Sequence, residues 1–325
     1  PVPVITSMAD VKRTSVSWIW PGRIPRRALT ILDGDPGLGK STITTDLAAR
    51  VSNGWMMPPN GGPCQGSEPE GVLLMSAEDD AGATIRPRLE AAGANLRMIH
   101  LFDSVQVGDT TTPPVLPGDV ALVSDRIKRL DISLVIIDPF MAFLASTTDS
   151  HKDQDIRKCL HALKVVAEET NVAILLVRHL NKIGHNTAMY RGGGSIGIIG
   201  AARSALIVGH HPDEKGVKVL AHTKSNLAPM GKSITYTMDP VDEQVAKIAW
   251  GGEVDLGAND ILTQPSPYAK VKGGDHCAEA IKMILANGEM ASEDLEAHLD
   301  QLGYSKRAIK EGRKAAGVKA KKETF

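Results

Sequence analysis

Ala28-Leu29-Thr30-Ile31-Leu32-Asp33 runs directly into Gly34-Asp35-Pro36-Gly37-Leu38-Gly39-Lys40-Ser41, and this junction sets the architecture. The first six residues form a short apolar run suited to a buried strand. The next eight fit Gly-x4-Gly-Lys-Ser, and a helix-compatible stretch begins near Lys40. Glycines let the backbone turn so that successive N–H groups point at phosphate oxygens, and the helix start adds the positive end of its dipole. Lys40 is then placed to neutralise the β and γ phosphates, with the Ser41 hydroxyl offered to Mg2+. The candidate nucleotide site is therefore Gly34, Asp35, Pro36, Gly37, Leu38, Gly39, Lys40, Ser41 and Thr42, with ATP and Mg2+ as the expected cofactors. A glycine turn with an incidental lysine is the bland alternative, and the strand before it and helix after it argue against that.

Outward from this junction, short runs rich in Val, Ile and Leu alternate with helix-period segments as far as residue 209, the pattern of βαβ units around a parallel sheet. The expected strands are Ala28–Asp33, Val72–Ser76, Met98–Phe102, Leu134–Asp138, Ala173–Val177 and Ala205–Val208. Ile156, Leu160, Leu163 and Val166 keep helical spacing, as do Ile85, Leu89 and Ala92 before Gly93. Val217–His222, Ser233–Thr237 and Val245–Trp250 then read as antiparallel strands added at the sheet edge. The expected fold class is α/β, a mostly parallel central sheet with an antiparallel extension, occupying residues 1–250. Residues 251–274 are rich in Gly, Pro, Asp and Ser and read as a linker. Residues 275–325 read as a small helical module of three pieces, about Asp275–Ala286, Ser292–Leu302 and Ser305–Ala316, the last two spaced as a helix-turn-helix. Residues 305–325 hold eight Lys/Arg against two Glu, whereas residues 275–304 hold seven Asp/Glu against one Lys. Such a basic end suits phosphate contact, and a solvated helical module for protein contacts is the alternative.

A chain of 325 residues that is 42% hydrophobic and 23% charged has enough apolar material for a sizeable core plus an appendage. Its net charge of −1 means that nucleic-acid binding needs a local basic surface. Cys64, Cys159 and Cys277 are odd in number and far apart, which excludes a disulfide framework and paired-cysteine metal sites and suits a reducing cytoplasm. No apolar run approaches the roughly 18 residues that span a bilayer, so no membrane partner is expected. The chain opens on Pro1 without Met, from which a preceding segment is expected.

Leu134-Val135-Ile136-Ile137-Asp138 supplies a carboxylate at the end of a buried strand, where ligands collect in open sheets, so Asp138 joins Ser41 as a candidate metal ligand. Hydrolysis also needs a group that activates water. Glu78, in Ser76-Ala77-Glu78-Asp79-Asp80, is the candidate general base, while Asp79 and Asp80 suit capping of the following helix.

Together these residues resemble the RecA-like P-loop ATPases, and within them the RepA-type hexameric replicative helicases of broad-host-range plasmids. The resemblance runs from about Trp20 to Pro229. It includes the lead-in from Gly22 to Leu29, the P-loop, Ala77-Glu78-Asp79, the strand ending at Asp138, Arg178-His179-Leu180-Asn181-Lys182, Arg191-Gly192-Gly193-Gly194-Ser195 and Ala202-Arg203. It implies that Glu78 activates water, that the strand ending at Ser76 lies beside the P-loop strand, and that His179 senses the γ-phosphate. It implies an arginine finger at Arg203 acting on a neighbour's nucleotide, and a trans-acting Lys224. The segment with Lys182, Arg191, Gly192 and Gly193 corresponds to the central DNA-binding loop, where amides and a few cations track single-stranded phosphates. Two departures stand out: the Arg-Gly-Gly-Gly-Ser run has more glycines, and Lys224-x-Asn226 replaces the Lys-x-Arg of related hairpins. The function that the resemblance implies is that of a ring-forming, hexameric ATPase. It would act on single-stranded DNA as the replicative DNA helicase of a plasmid, phage or mobile element, with a primase or other replication proteins as further partners. Two alternatives are a non-helicase RecA- or KaiC-like ATPase in recombination, and a DNA-binding regulator in which nucleotide switches assembly.

Overall fold

The computed structural model describes residues 2–59, 67–145, 153–180, 196–262, 274–285, 290–301, 304 and 306–318. They fall into two compact units, Pro1–Leu262 and Thr263–Phe325. In chain order the first unit carries β1 (Trp18–Trp20), β2 (Ile24–Pro25), β3 (Ala28–Gly34), α1 (Lys40–Asn53), β4 (Gly71–Ser76), α2 (Arg86–Ala91), β5 (Ile99–Leu101), β6 (Val105–Val107), β7 (Thr110–Thr112) and α3 (Val120–Arg129). It continues with β8 (Ile132–Asp138), α4 (Asp153–Thr170), β9 (Ala173–His179), α5 (Ile196–Ala201), β10 (Ser204–His210), β11 (Lys218–Ser225), β12 (Ser233–Pro240), β13 (Ala246–Val254) and α6 (Ala258–Leu262).

A nine-stranded sheet, ordered β13-β12-β11-β10-β3-β9-β8-β4-β5, forms the frame among the described residues. From β10 to β5 neighbouring strands run parallel, and β11, β12 and β13 extend the β10 edge in antiparallel fashion. β3 is buried along its whole length because it sits inside the sheet with both faces covered. Alternation sorts its side chains: Leu29 and Ile31 pack with α3, α4 and α5, while Leu32 packs with Ile43, Leu47 and Val51 of α1. The expected fold class is thus the observed one.

The structure departs from the sequence-based expectations at three places. β4 is not beside the P-loop strand, because β9 and β8 lie between them. The stretch expected as a linker from residue 251 instead holds the end of β13 and then α6, and the first unit closes only at Leu262. Glycine usually weakens a strand, but Gly251 lies where a Cβ would collide with Thr235 Oγ1 on β12. Asp79 does not cap the helix that follows. Its carboxylate receives Arg88 Nη1 at 2.7 Å, and Asp80 alone of the two caps, accepting from Gly82 N and Ala83 N. Trp20 is buried, donates to Pro58 O at 2.9 Å and meets Trp250 edge-on, so it helps seal the sheet.

In the second unit, α7 (Gly274–Leu285), α8 (Ser292–Gln301) and α9 (Lys306–Ala316) share a small core of Cys277, Ile281, Leu295, Leu299, Tyr304 and Ile309.

His222 on β11 is buried, and its Nδ1 lies 3.3 Å from Arg23 Nη1. Burial, and then the Arg23 charge, lower its pKa from 6.5 to about 4. Between those values the unfolded chain binds a proton that the native protein refuses. This contribution to stability is therefore present above pH 6.5 and is lost as pH falls toward 4. We predict a loss of about 3 kcal/mol from this group over that window, read by urea denaturation across pH, and a shallower decline in His222→Gln.

Candidate nucleotide site

β3 delivers the P-loop to the C-terminal edge of the parallel strands. Gly37 and Gly39 take φ of 80° and 81°, a region open to glycine at little cost. Gly39 is also the N-cap of α1 and leaves its first turn without a side-chain cap, as suits a helix start that receives an anion. Two strands of the antiparallel extension brace the loop from behind. Tyr236 on β12 donates its hydroxyl to Leu38 O at 2.8 Å, and a Cβ at Gly39 would meet Met238 Sδ at 2.5 Å. Trp250 on β13 donates Nε1 to Asp46 Oδ2 at 2.7 Å, which also receives Arg50 Nε at 2.8 Å and so anchors α1.

Lys40 is buried, and its ammonium donates to Gly34 O at 2.8 Å, to Asp35 O at 3.0 Å and to His179 Nδ1 at 3.3 Å. Burial lowers its pKa, and Asp138, Asp35, Asp33 and Glu78 oppose that, in that order. Since an ammonium can only donate, His179 Nδ1 accepts, which leaves the ring proton on Nε2. That Nε2 lies 4.0 Å from Glu78 Oε2. Lys40, His179 and Glu78 therefore form one line across the edge of β3, β9 and the loop after β4, although these elements are far apart in sequence.

Asp138 ends β8, and the Ser41 side chain is near enough to its carboxylate to favour the charged form. Burial raises the Asp138 pKa, with Ser41 and Lys40 pulling it back. A hydroxyl beside a carboxylate is an oxygen donor set that fits Mg2+, which binds through few protein ligands and the phosphates of its nucleotide. No cluster of three or more His, Cys, Asp or Glu suited to a metal occurs among the described residues.

Beneath the loop lies a pair that the sequence alone does not reveal. Arg178 donates Nε to Asp33 Oδ1 at 2.9 Å and Nη2 to Asp33 Oδ2 at 2.7 Å, with side-chain exposures of 1% and 2%. Asp33 pairs with Arg178 across β3 and β9, and the next pair up is Gly34 with His179. Each member read alone is a charged residue near a strand end; only the register joins them.

Arg203 and Lys224 sit at the far end of the sheet. Arg203 N donates to Leu29 O, and β10 runs parallel to β3. Arg203 therefore lies five residues below Gly34, about 17 Å along the strands. Its side chain is exposed. Lys224 on β11 donates to Ile199 O at 2.8 Å and Gly200 O at 3.2 Å, near the C-terminal end of α5. Burial and the nearby Arg203 lower its pKa. Neither cation reaches this chain's own P-loop. Lys182, Arg191, Gly192 and Gly193 lie outside the described residues.

A P-loop strand inside the sheet, a carboxylate two strands away on β8 and a polar triad across the strand ends define a RecA-like P-loop ATPase. The family model described as AAA domain matches residues 2–185, over half the chain, and the chain belongs to that family. It is similar to the DNA repair protein RadA of Mycobacterium tuberculosis (strain ATCC 25618 / H37Rv), 28% identical over 184 residues, which is 56% of this chain and 32% of that protein. It is also similar to the RadA proteins of Bacillus subtilis (strain 168), at 24% over 165 residues, and Brucella abortus (strain 2308), at 28% over 165 residues, each match covering 50% of this chain and 30% of the relative. The chain spans about a third of the length of these relatives. No helix among the described residues is long and apolar enough to cross a membrane.

Removing one partner of the buried pair strands the other. Arg178→Met is predicted to cost about 3–5 kcal/mol in urea denaturation, and Asp33→Leu with Arg178→Met to recover most of it.

Proposed function

We propose that this chain is a Mg-ATP-hydrolysing, ring-forming motor acting on single-stranded DNA, cytoplasmic in location, with a replicative helicase role in a plasmid, phage or other mobile element. The observation that carries the hydrolytic reading is the Lys40–His179–Glu78 line, at 3.3 and 4.0 Å, on the rim of the P-loop. Backbone N–H groups within residues 34–41, Pro36 excepted, hold the phosphates, and Lys40 turns from the loop carbonyls to the β and γ oxygens. Ser41 and Asp138 would hold Mg2+, which would supply charge neutralisation at those oxygens. Glu78 takes a proton from water as its oxygen attacks the γ phosphorus and the bond to the β-phosphate oxygen breaks. His179 bonds to Lys40 and lies 4.0 Å from Glu78, so it can report γ-phosphate loss to β9 and to the proposed DNA loop that follows it.

Arg203 supports assembly. Phosphoryl transfer gathers charge on the γ oxygens, and an arginine about 17 Å from its own loop can serve only the nucleotide of another copy. A heterologous contact of that kind repeats around a ring or along a filament. Lys182, Arg191, Gly192 and Gly193 are the proposed single-strand contacts.

A second reading has its own support. The relatives named above are DNA repair proteins, which favours a non-helicase repair or recombination ATPase on the same fold. Forked-duplex unwinding driven by ATP separates the two, being present in the first reading and absent in the second.

The Arg203→Ala protein is predicted to lose about 10³-fold in DNA-stimulated ATPase rate while retaining nucleotide affinity. Mixing it with inactive Lys40→Ala subunits restores part of the rate, since an intact P-loop then meets an intact finger. Full activity of Arg203→Ala alone contradicts the reading.

A further inference from the structure

We propose that the second unit is a duplex-DNA-binding module whose α9 enters the major groove. It lies beyond the residues matched by the AAA domain. Four residues of sequence separate α8 from α9, and of these Tyr304 is buried and donates its N–H to Leu299 O at 3.0 Å. Two helices this close in sequence, with a packed residue between them, suit the arrangement that presents the second helix to a groove.

The two sides of α9 differ. Ile309 and Gly312 are buried, and Ala316 packs against the same core. Gly312 permits an approach that no other residue allows, because a Cβ there would stand 2.7 Å from Cys277 Cβ and 3.1 Å from the Cys277 carbonyl carbon on α7. Arg313, at the margin, donates to Glu296 Oε1 at 2.8 Å and to Ser292 O and Oγ at 3.0 Å, which fixes α9 on α8. Lys310 and Lys314 are exposed. They lie one turn apart and roughly opposite the buried side at about 3.6 residues per turn.

Charge selects the partner. The sequence from 305 to 325 carries eight Lys/Arg against two Glu, and from 275 to 304 seven Asp/Glu against one Lys. A polyanion is therefore favoured by the segment that carries α9 and disfavoured by the acidic segment before it. α9 is 11 residues long. That makes it a rigid rod of about 16 Å, a shape that fits the major groove of a duplex better than a flexible single strand.

The test uses the full chain and fluorescence anisotropy of a blunt mixed-sequence duplex between about 50 and 200 mM salt. Wild type is expected to bind, and Lys310→Gln with Lys314→Gln to reduce the slope of log affinity against log salt by about 1.8, with affinity about 60-fold lower at about 0.1 M salt. Lys310→Arg with Lys314→Arg should bind like wild type. So should the control pair Lys232→Gln with Lys247→Gln, which removes the same charge from exposed positions of the first unit. DNA-stimulated ATPase should be unchanged in every variant, so this result stands apart from the motor reading. The proposal is overturned if wild type does not bind duplex, including the case where it binds only RNA or a protein, or if the Lys310 and Lys314 glutamine pair behaves like the control pair.

Discussion

The nucleotide site rests on one buried ion pair. Asp33 and Arg178 are both sealed from water, and the guanidinium meets the carboxylate through two hydrogen bonds, one to each oxygen. Two charges this deep are tolerated only with such complete pairing. Its consequence is positional. With Asp33 fixed opposite Arg178, Gly34 must lie opposite His179, so the first P-loop residue and the proposed sensor share one rung of the sheet. The Lys40 ammonium then reaches His179 without leaving the loop carbonyls. A slip of one residue between β3 and β9 would break the pair and exchange the faces on which the apolar side chains lie.

The antiparallel extension belongs to the same construction. β12 and β13 lie three and four places from β3 in the sheet, yet Tyr236 holds the loop backbone at Leu38 and Trp250 holds α1 through Asp46. Sheet twist brings these edge strands over the α1 face, where they close the core around Ile43, Leu47 and Trp20. Changes in the extension can thus reach the phosphate cradle without touching a phosphate, and the parallel half carries the reacting groups while the antiparallel half stiffens them.

Much of this is legible in the sequence because it is local. The P-loop is contiguous, its glycines answer to backbone geometry, and the buried strands show as apolar runs flanked by helical periods. What the sequence hides is set by distance along the chain. Asp33 and Arg178 are 145 residues apart, and Tyr236 and Leu38 are 198 apart. Neither pairing leaves a trace in either local pattern. Strand order is hidden for the same reason: β4 follows the P-loop helix in sequence, but the crossovers place β9 and β8 between it and β3. Gly251 and Gly252 look like a loosening of the chain, yet a close cross-strand approach is what demands Gly251. The far-end placement of Arg203 is hidden too, because a residue before a strand can reach either end of a sheet until strand direction is known.

The decisive measurement is a structure of the chain assembled with a non-hydrolysable ATP analogue, Mg2+ and single-stranded DNA. Phosphates should be cupped by residues 34–41, with Lys40 and His179 of one copy and Arg203 of its neighbour converging on the γ-phosphate. A loaded P-loop whose γ-phosphate meets no second copy, or a loop left empty under saturating analogue, would contradict the trans-acting site.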